Sequence, residues 1–172
     1  MNDIIYTDIQ TCIENNIDIS NILNEVKKIM EIEYPEYVNW FNEKVIPGLY
    51  IKERNIILIF KKNILIGFVN LKKTKKERKM SNLYIMKNLF YNKYFNRLTN
   101  LSMEWLETKE PTLIISDNEL DKYAGNILEK KWDATRIIKD KNSVYYVFNG
   151  NDEFNDIRKS LIKKSNKNVY NH

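Results

Sequence analysis

Apolar positions along the chain recur at two spacings, and the changes between them divide it into elements. Residues 1–17 are weakly patterned and receive no element. From Ser20 the positions Ile22, Leu23, Val26, Ile29 and Met30 fall on one helical stripe, with Ser20 as the expected N-cap. Pro35 suits the first turn of a second helix in which Val38, Phe41 and Val45 face one way, and Pro47-Gly48 is expected to stop it. Ile56–Phe60 is a continuous apolar run rich in β-branched residues and reads as a strand. A turn at Lys61–Asn63 joins it to a partner strand, Ile64–Leu71. The basic stretch 72–79 reads as a second turn, leading to a third strand, Met80–Met86.

Helical spacing returns from about Phe95 to Leu106, with Leu98, Leu101, Ser102 and Trp105 on one face. Pro111 precedes a strand, Thr112–Ser116. Ser116 or Asp117 then caps a helix that buries Leu120, Tyr123, Ile127 and Leu128 and runs to about Lys131. Two strands follow, Ala134–Ile138 and Ser143–Phe148, around the polar turn Lys139–Asn142. No internal repeat is visible. Phe154, Ile157 and Leu161 have helical spacing, so 151–172 read as a short amphipathic helix and a flexible basic tail, docked on the domain or on a partner.

Composition narrows the class. A chain of 172 residues with 43% hydrophobic and 30% charged residues is one ordinary domain. No run reaches the ~18 apolar residues of a membrane span. The start, MNDIIYTDIQTC, carries acids where a signal peptide carries bases. Cys12 stands alone, which rules out an internal disulfide and fits a reducing compartment, so a cytoplasmic protein is expected. The single histidine, His172, is C-terminal, which speaks against a His/Cys metal site and against Ser-His or Cys-His nucleophiles.

The net charge is +5, with acids interleaved nearly throughout. The exception, 72–79, reads first as a solvated hairpin tip. Its alternatives are contact with an acidic partner, with nucleic acid or with a cofactor phosphate. No aromatic residue interleaves with these lysines, which speaks against stacked single strands.

The segment from Leu83 to Leu106, LYIMKNLFYNKYFNRLTNLSMEWL, is a strand running through a short loop into a helix. In length and flanking pattern it resembles the acyl-CoA-binding core of the GNAT N-acetyltransferases. Trp40-Phe41, Pro47-Gly48-Leu49, Gly67-Phe68, Thr112–Asp117, Trp132 and Tyr146–Gly150 extend the resemblance over roughly residues 20–150. It implies an α/β domain over residues 1–150, with a mixed, mostly antiparallel sheet flanked by helices. It implies activity less strongly, because a fold hosts many functions.

In that family a loop close to R-G-x-G-x-G/A holds the pyrophosphate of CoA at a helix N-terminus. Matched by position, it falls here on Phe90, Tyr91, Asn92, Lys93, Tyr94 and Phe95, with neither glycine nor arginine. Glycines let phosphate approach the backbone, and the arginine is a bidentate phosphate partner. The resemblance sets the pantetheine arm against the backbone of Leu83, Tyr84 and Ile85, and leaves Asn92, Lys93, Asn96 and Arg97 as partial phosphate partners. Phe90, Tyr91, Tyr94 and Phe95 read as a hydrophobic plug in the old cofactor cleft, or as an aromatic surface for a partner.

Many family members supply a tyrosine acid from the helix after the fifth strand. Ile127–Trp132 contains none, and Tyr123, one turn earlier, is the nearest substitute, with a core position as its other reading. Glu77 and Asp117 are candidate bases. Two functions stand side by side: transfer of acetyl from acetyl-CoA to a small-molecule or protein amine, and a non-catalytic GNAT-fold module serving a protein partner. A nucleic-acid-binding role rests only on net charge and 72–79.

Overall fold

Strand alternation divides the apolar residues between two cores, one on each face of a single sheet. The computed structural model describes residues 4–87, 89, 91–140 and 143–149, so the helix expected in 151–172 lies outside the described residues. Its strands are β1 (Ile4–Asp8), β2 (Arg54–Lys61), β3 (Ile64–Lys73), β4 (Arg78–Ile85), β5 (Thr112–Ser116), β6 (Ala134–Asp140) and β7 (Ser143–Phe148). They form a seven-stranded sheet in the order β1-β2-β3-β4-β5-β7-β6. All neighbours are antiparallel except β4 and β5.

The helices are α1 (Ile9–Glu14), α2 (Ser20–Glu31), α3 (Tyr37–Trp40), α4 (Ile46–Tyr50), α5 (Tyr91–Leu106) and α6 (Asp117–Glu129). Ile57 and Ile59 of β2 face a core with Phe95 and Leu98 of α5 and Tyr123 and Ile127 of α6. Ile56 and Leu58 face the other, with Leu23 and Val26 of α2, Tyr37 of α3 and Phe41. Among the described residues no helix is long and apolar enough to cross a membrane.

Several expectations are corrected. The weakly patterned N-terminus contains both β1 and α1. The strand lies at the sheet edge and is mostly half-buried, and the helix has six residues, so neither shows a clear period. Ser20 does not cap α2. Its N–H donates to the Asp18 carboxylate at 2.9 Å, and Ser20 is already helical. Nor does Pro47-Gly48 stop a helix, because a π-helical turn at Phe41–Val45 joins α3 to α4. That wider turn precedes Pro47, whose missing N–H then falls in the first turn of α4, where no partner is needed. Half of the stretch 72–79 is strand, with Lys72 and Lys73 in β3 and Arg78 and Lys79 in β4, and only Lys75 and Lys76 are exposed.

The start of α5 lies one turn earlier than expected, at Tyr91 rather than Phe95. Tyr94 and Phe95, read as loop aromatics, lie in this helix and face inward, both buried against the α5–α6 core. Ser116 caps α6, accepting from the Glu119 N–H at 3.4 Å. Two residues of the sequence resemblance prove structural. Trp132 Nε1–H donates to the Lys109 carbonyl at 3.0 Å, and Asn149 Nδ2 donates to the Pro111 carbonyl at 2.8 Å.

Candidate functional site

The site begins with an irregularity in β4. Register with β3 runs Asn70↔Ser81 and then Phe68↔Tyr84, so Asn82 and Leu83 together oppose Val69. Asn82 has φ of 49°, the left-handed region that asparagine tolerates better than most residues. The extra residue resets the alternation. Met80 faces the α5–α6 core before the bulge and Leu83 and Ile85 face it after, while Tyr84 turns to the other side and stacks on Phe68 at 5.3 Å.

Beside the bulge the sheet opens. β4 and β5 pair only at Lys79↔Thr112 and Met80↔Leu113 and diverge beyond. Met86 N–H donates to the Ile66 carbonyl on the β3 side at 2.8 Å. Alternation along a strand then aims the N–H groups of Leu83 and Ile85 at the open edge. A cavity of about 610 Å³ occupies the gap, walled by Leu83, Tyr84 and Ile85 of β4 and by Leu113 to Ser116 of β5. Tyr34, Tyr37 and Trp40 of the helical layer close it from above. Burial raises the Tyr34 phenol, and Ser116 beside it acts the other way.

Tyr37 is buried in this wall. Asn70 Nδ2 donates to its hydroxyl oxygen at 2.7 Å and to Asn82 Oδ1 at 3.2 Å, tying the helical layer to the bulge. Burial pushes the Tyr37 phenol far above its ordinary range, so it stays protonated. Asn70 is itself buried, and among the described residues its Oδ1 has no partner.

The end of the cavity at the start of β4 is charged. Lys72 Nζ lies 2.6 Å from Glu77 Oε2, and Lys79 Nζ is 4.0 Å from Oε1. Burial pushes the Glu77 carboxyl up, but the Lys72 hydrogen bond and the charges of Lys72, Lys79 and Arg54 outweigh it, leaving Glu77 below the usual carboxylate range. Arg54 stacks over the Trp40 ring at 5.4 Å. Burial lowers both Arg54 and Lys79 from their ordinary values. Lys73 instead faces the opposite side of the sheet, pairing with Glu107 at 2.8 Å and donating to the Trp105 carbonyl.

The residues read from the sequence therefore separate. Leu83, Tyr84, Ile85 and Glu77 line the cavity; Asp117 does not. Asn92 and Lys93 are exposed on the first turn of α5, and Asn96 is half-buried. Arg97 lies further along, its guanidinium over the Tyr6 ring at 5.5 Å. None of these four lines the cavity, nor do Tyr94 and Phe95, which pack into the core rather than filling the cleft. Phe90 and the Tyr91 side chain lie outside the described residues. Tyr123 is fully buried, stacked on Phe95 at 4.9 Å and away from the cavity wall. Sequence reading missed Tyr37, Arg54 and Asn82 as site residues and flagged Lys72 and Lys79 only as part of the basic stretch 72–79. Asn82 left a signal as an asparagine in mid-strand.

No family model matches the chain, and no curated protein matches it. Solved structures do. Escherichia coli ElaA superposes with a TM-score of 0.58 at 11% identity, over 86% of this chain and 99% of that one. A GNAT-family protein from Desulfovibrio desulfuricans gives 0.60 at 10% identity, over 84% and 96%. The PaiA N-acetyltransferase of Thermoplasma acidophilum, solved with coenzyme A, gives 0.53 at 14%, over 86% and 99%. The chain has the GNAT acetyltransferase fold: a mixed, mostly antiparallel sheet flanked by helices, as the sequence resemblance implied.

Proposed function

We propose that the protein is an acyl-CoA-dependent N-acyltransferase that acetylates an amine. The observation that carries this reading is the parting of β4 from β5 beside the Asn82 bulge, which leaves a cavity along an open strand edge. The fit to acetyl-CoA rests on that edge. Leu83 and Ile85 offer backbone groups to the pantetheine amides, and the cavity has the volume of a ligand site. The N–H groups of the first turn of α5 are donors for the pyrophosphate, with Asn92 and Lys93 beside them. When bound, acetyl-CoA supplies an activated thioester carbonyl.

The chain's own residues supply position and charge. Glu77, held ionised, attracts the ammonium of an arriving amine. Tyr37, protonated and buried in the cavity wall, is the group able to hold a proton there. The deep burial of Tyr123 fits a packing role, and this reading gives it no part in proton transfer. The acyltransferase unit is taken to span 1–150.

The glycine-free sequence 90–95 favours a second reading, a non-catalytic module with a protein partner. Calorimetric titration with acetyl-CoA separates the two. Binding of micromolar strength supports the acyltransferase. No heat and no thermal shift up to millimolar ligand supports the module.

A further inference from the structure

Cross-strand register sets three cations in a row. Arg54 of β2 pairs with Lys72 of β3, and Lys72 pairs with Lys79 of β4. All three line the cavity, at the end where β4 begins. Like charges directly opposite on a sheet are destabilising. Glu77 offsets part of this, but it is engaged by Lys72 at 2.6 Å and Lys79 at 4.0 Å. Among the described residues the Arg54 guanidinium makes no hydrogen bond or ion pair; it rests on the Trp40 ring.

The backbone that carries Arg54 is also held in place. Gln10 Nε2 donates to the Arg54 carbonyl at 2.8 Å and to the Leu49 carbonyl at 2.6 Å, fixing the chain before β2. Gly48 gives the stem its room, since a Cβ there would lie 2.7 Å from Arg54 Cδ. A half-buried fork of N–H donors, which among the described residues has no carboxylate in hydrogen-bond contact and only the charges of Glu77 and Glu53 nearby, matches a carboxylate or phosphate.

The cofactor's pyrophosphate is the wrong partner for it. The α5 N-terminus follows the far end of β4, and the run from Lys79 to Ile85 is about 20 Å of strand. We infer that the row Arg54–Lys72–Lys79 is an oxyanion subsite and that the acceptor is an amine bearing a carboxylate or phosphate. This deepens the acyltransferase reading and rests on it. The oxyanion lies on Arg54 and Lys79, and the ammonium turns to Glu77.

The test is calorimetry on the full chain, with and without CoA, using O-phosphoethanolamine, L-glutamate and spermidine as separate probes. At least one acidic amine should bind and spermidine should not. Phosphoethanolamine alone would identify a phosphate, and glutamate alone a carboxylate. Arg54→Gln should weaken the acidic amine about tenfold or more, the loss of a charge-assisted hydrogen bond, while acetyl-CoA affinity stays unchanged. Arg54→Lys should recover part of it. Lys79→Gln should weaken the same probe, and serves if Arg54→Gln fails to fold. Spermidine binding as tightly, no binding of either acidic amine, or loss of acetyl-CoA affinity in Arg54→Gln would each overturn the assignment. An acidic amine that binds where acetyl-CoA does not would leave the subsite standing and sink the acyltransferase reading.

Discussion

The open edge of β4 and the start of α5, the two parts of the proposed cofactor site, are built in different ways, and only the first lines the cavity. The β4 edge is made of backbone. A bulge at Asn82 and two ladder pairs to β5 create it, and Leu83, Tyr84 and Ile85 need only be good strand residues. The start of α5 is where side-chain identity matters, because a Cβ or an aromatic ring decides how near a phosphate can come. A site half written in backbone geometry can thus be complete in shape beside a half that departs from the glycine-rich GNAT loop pattern. The fold speaks for the first half and leaves the second to chemistry.

The largest expected effect comes from the core beneath α5. Phe95 is fully buried and stacked on Tyr123, so Phe95→Ala should cost about 3–5 kcal/mol in denaturant unfolding. A neutral result would take Phe95 out of the core and place it at the surface. Next comes the bulge. Asn82→Val places a β-branched residue at φ of 49° and should cost about 1–2 kcal/mol while weakening acetyl-CoA. Asn82→Gly tolerates that backbone and loses only the Asn70 hydrogen bond, so it should cost less on both counts. Equal stability and affinity for both variants would show that the bulge does not build the site.

The α5 start should respond more mildly. Lys93→Glu sets a negative charge on its first turn, and opposing bound phosphate there should cost about 0.3–1 kcal/mol of acetyl-CoA affinity. Arg97→Glu, drawn towards Tyr6, should cost less, and the reverse order would refute this placement of the phosphates. The smallest effect is in pH. Glu77 titrates below its usual range in the fold, so its stabilising contribution is present above the unfolded carboxyl pKa and is lost as pH falls through the lowered folded value. The melting-temperature gap between wild type and Glu77→Gln should therefore close from pH 6 towards pH 3. Glu77 is a third exposed, so the gap is small, and one that widened in acid would reverse the sign.

Much of the fold was legible because its strands are strongly patterned. Thr112–Ser116 and Ser143–Phe148 were read to the residue. Where legibility failed, the reason was physical. β1 gains its place from pairing with β2, which leaves little trace in its own five residues. The first turn of α5 was read as loop because its aromatics suit either state until α6 is seen packed against them. Of the cavity wall, Leu83, Tyr84 and Ile85 were the part named from the sequence. The charged end was not legible, since Arg54, Lys72 and Lys79 meet only through the register of three strands. Lysines that suggested a solvated tip divide by strand alternation, Lys72 and Lys79 to the cavity and Lys73 to Trp105.

Backbone hydrogen exchange at β4, followed by NMR with and without CoA, tests the central claim most directly. The open edge predicts that the Leu83 and Ile85 amides exchange more slowly when CoA is added, while Met86, already bonded to Ile66, changes little. Unchanged exchange at Leu83 and Ile85 under saturating CoA would contradict the claim that this edge receives the cofactor.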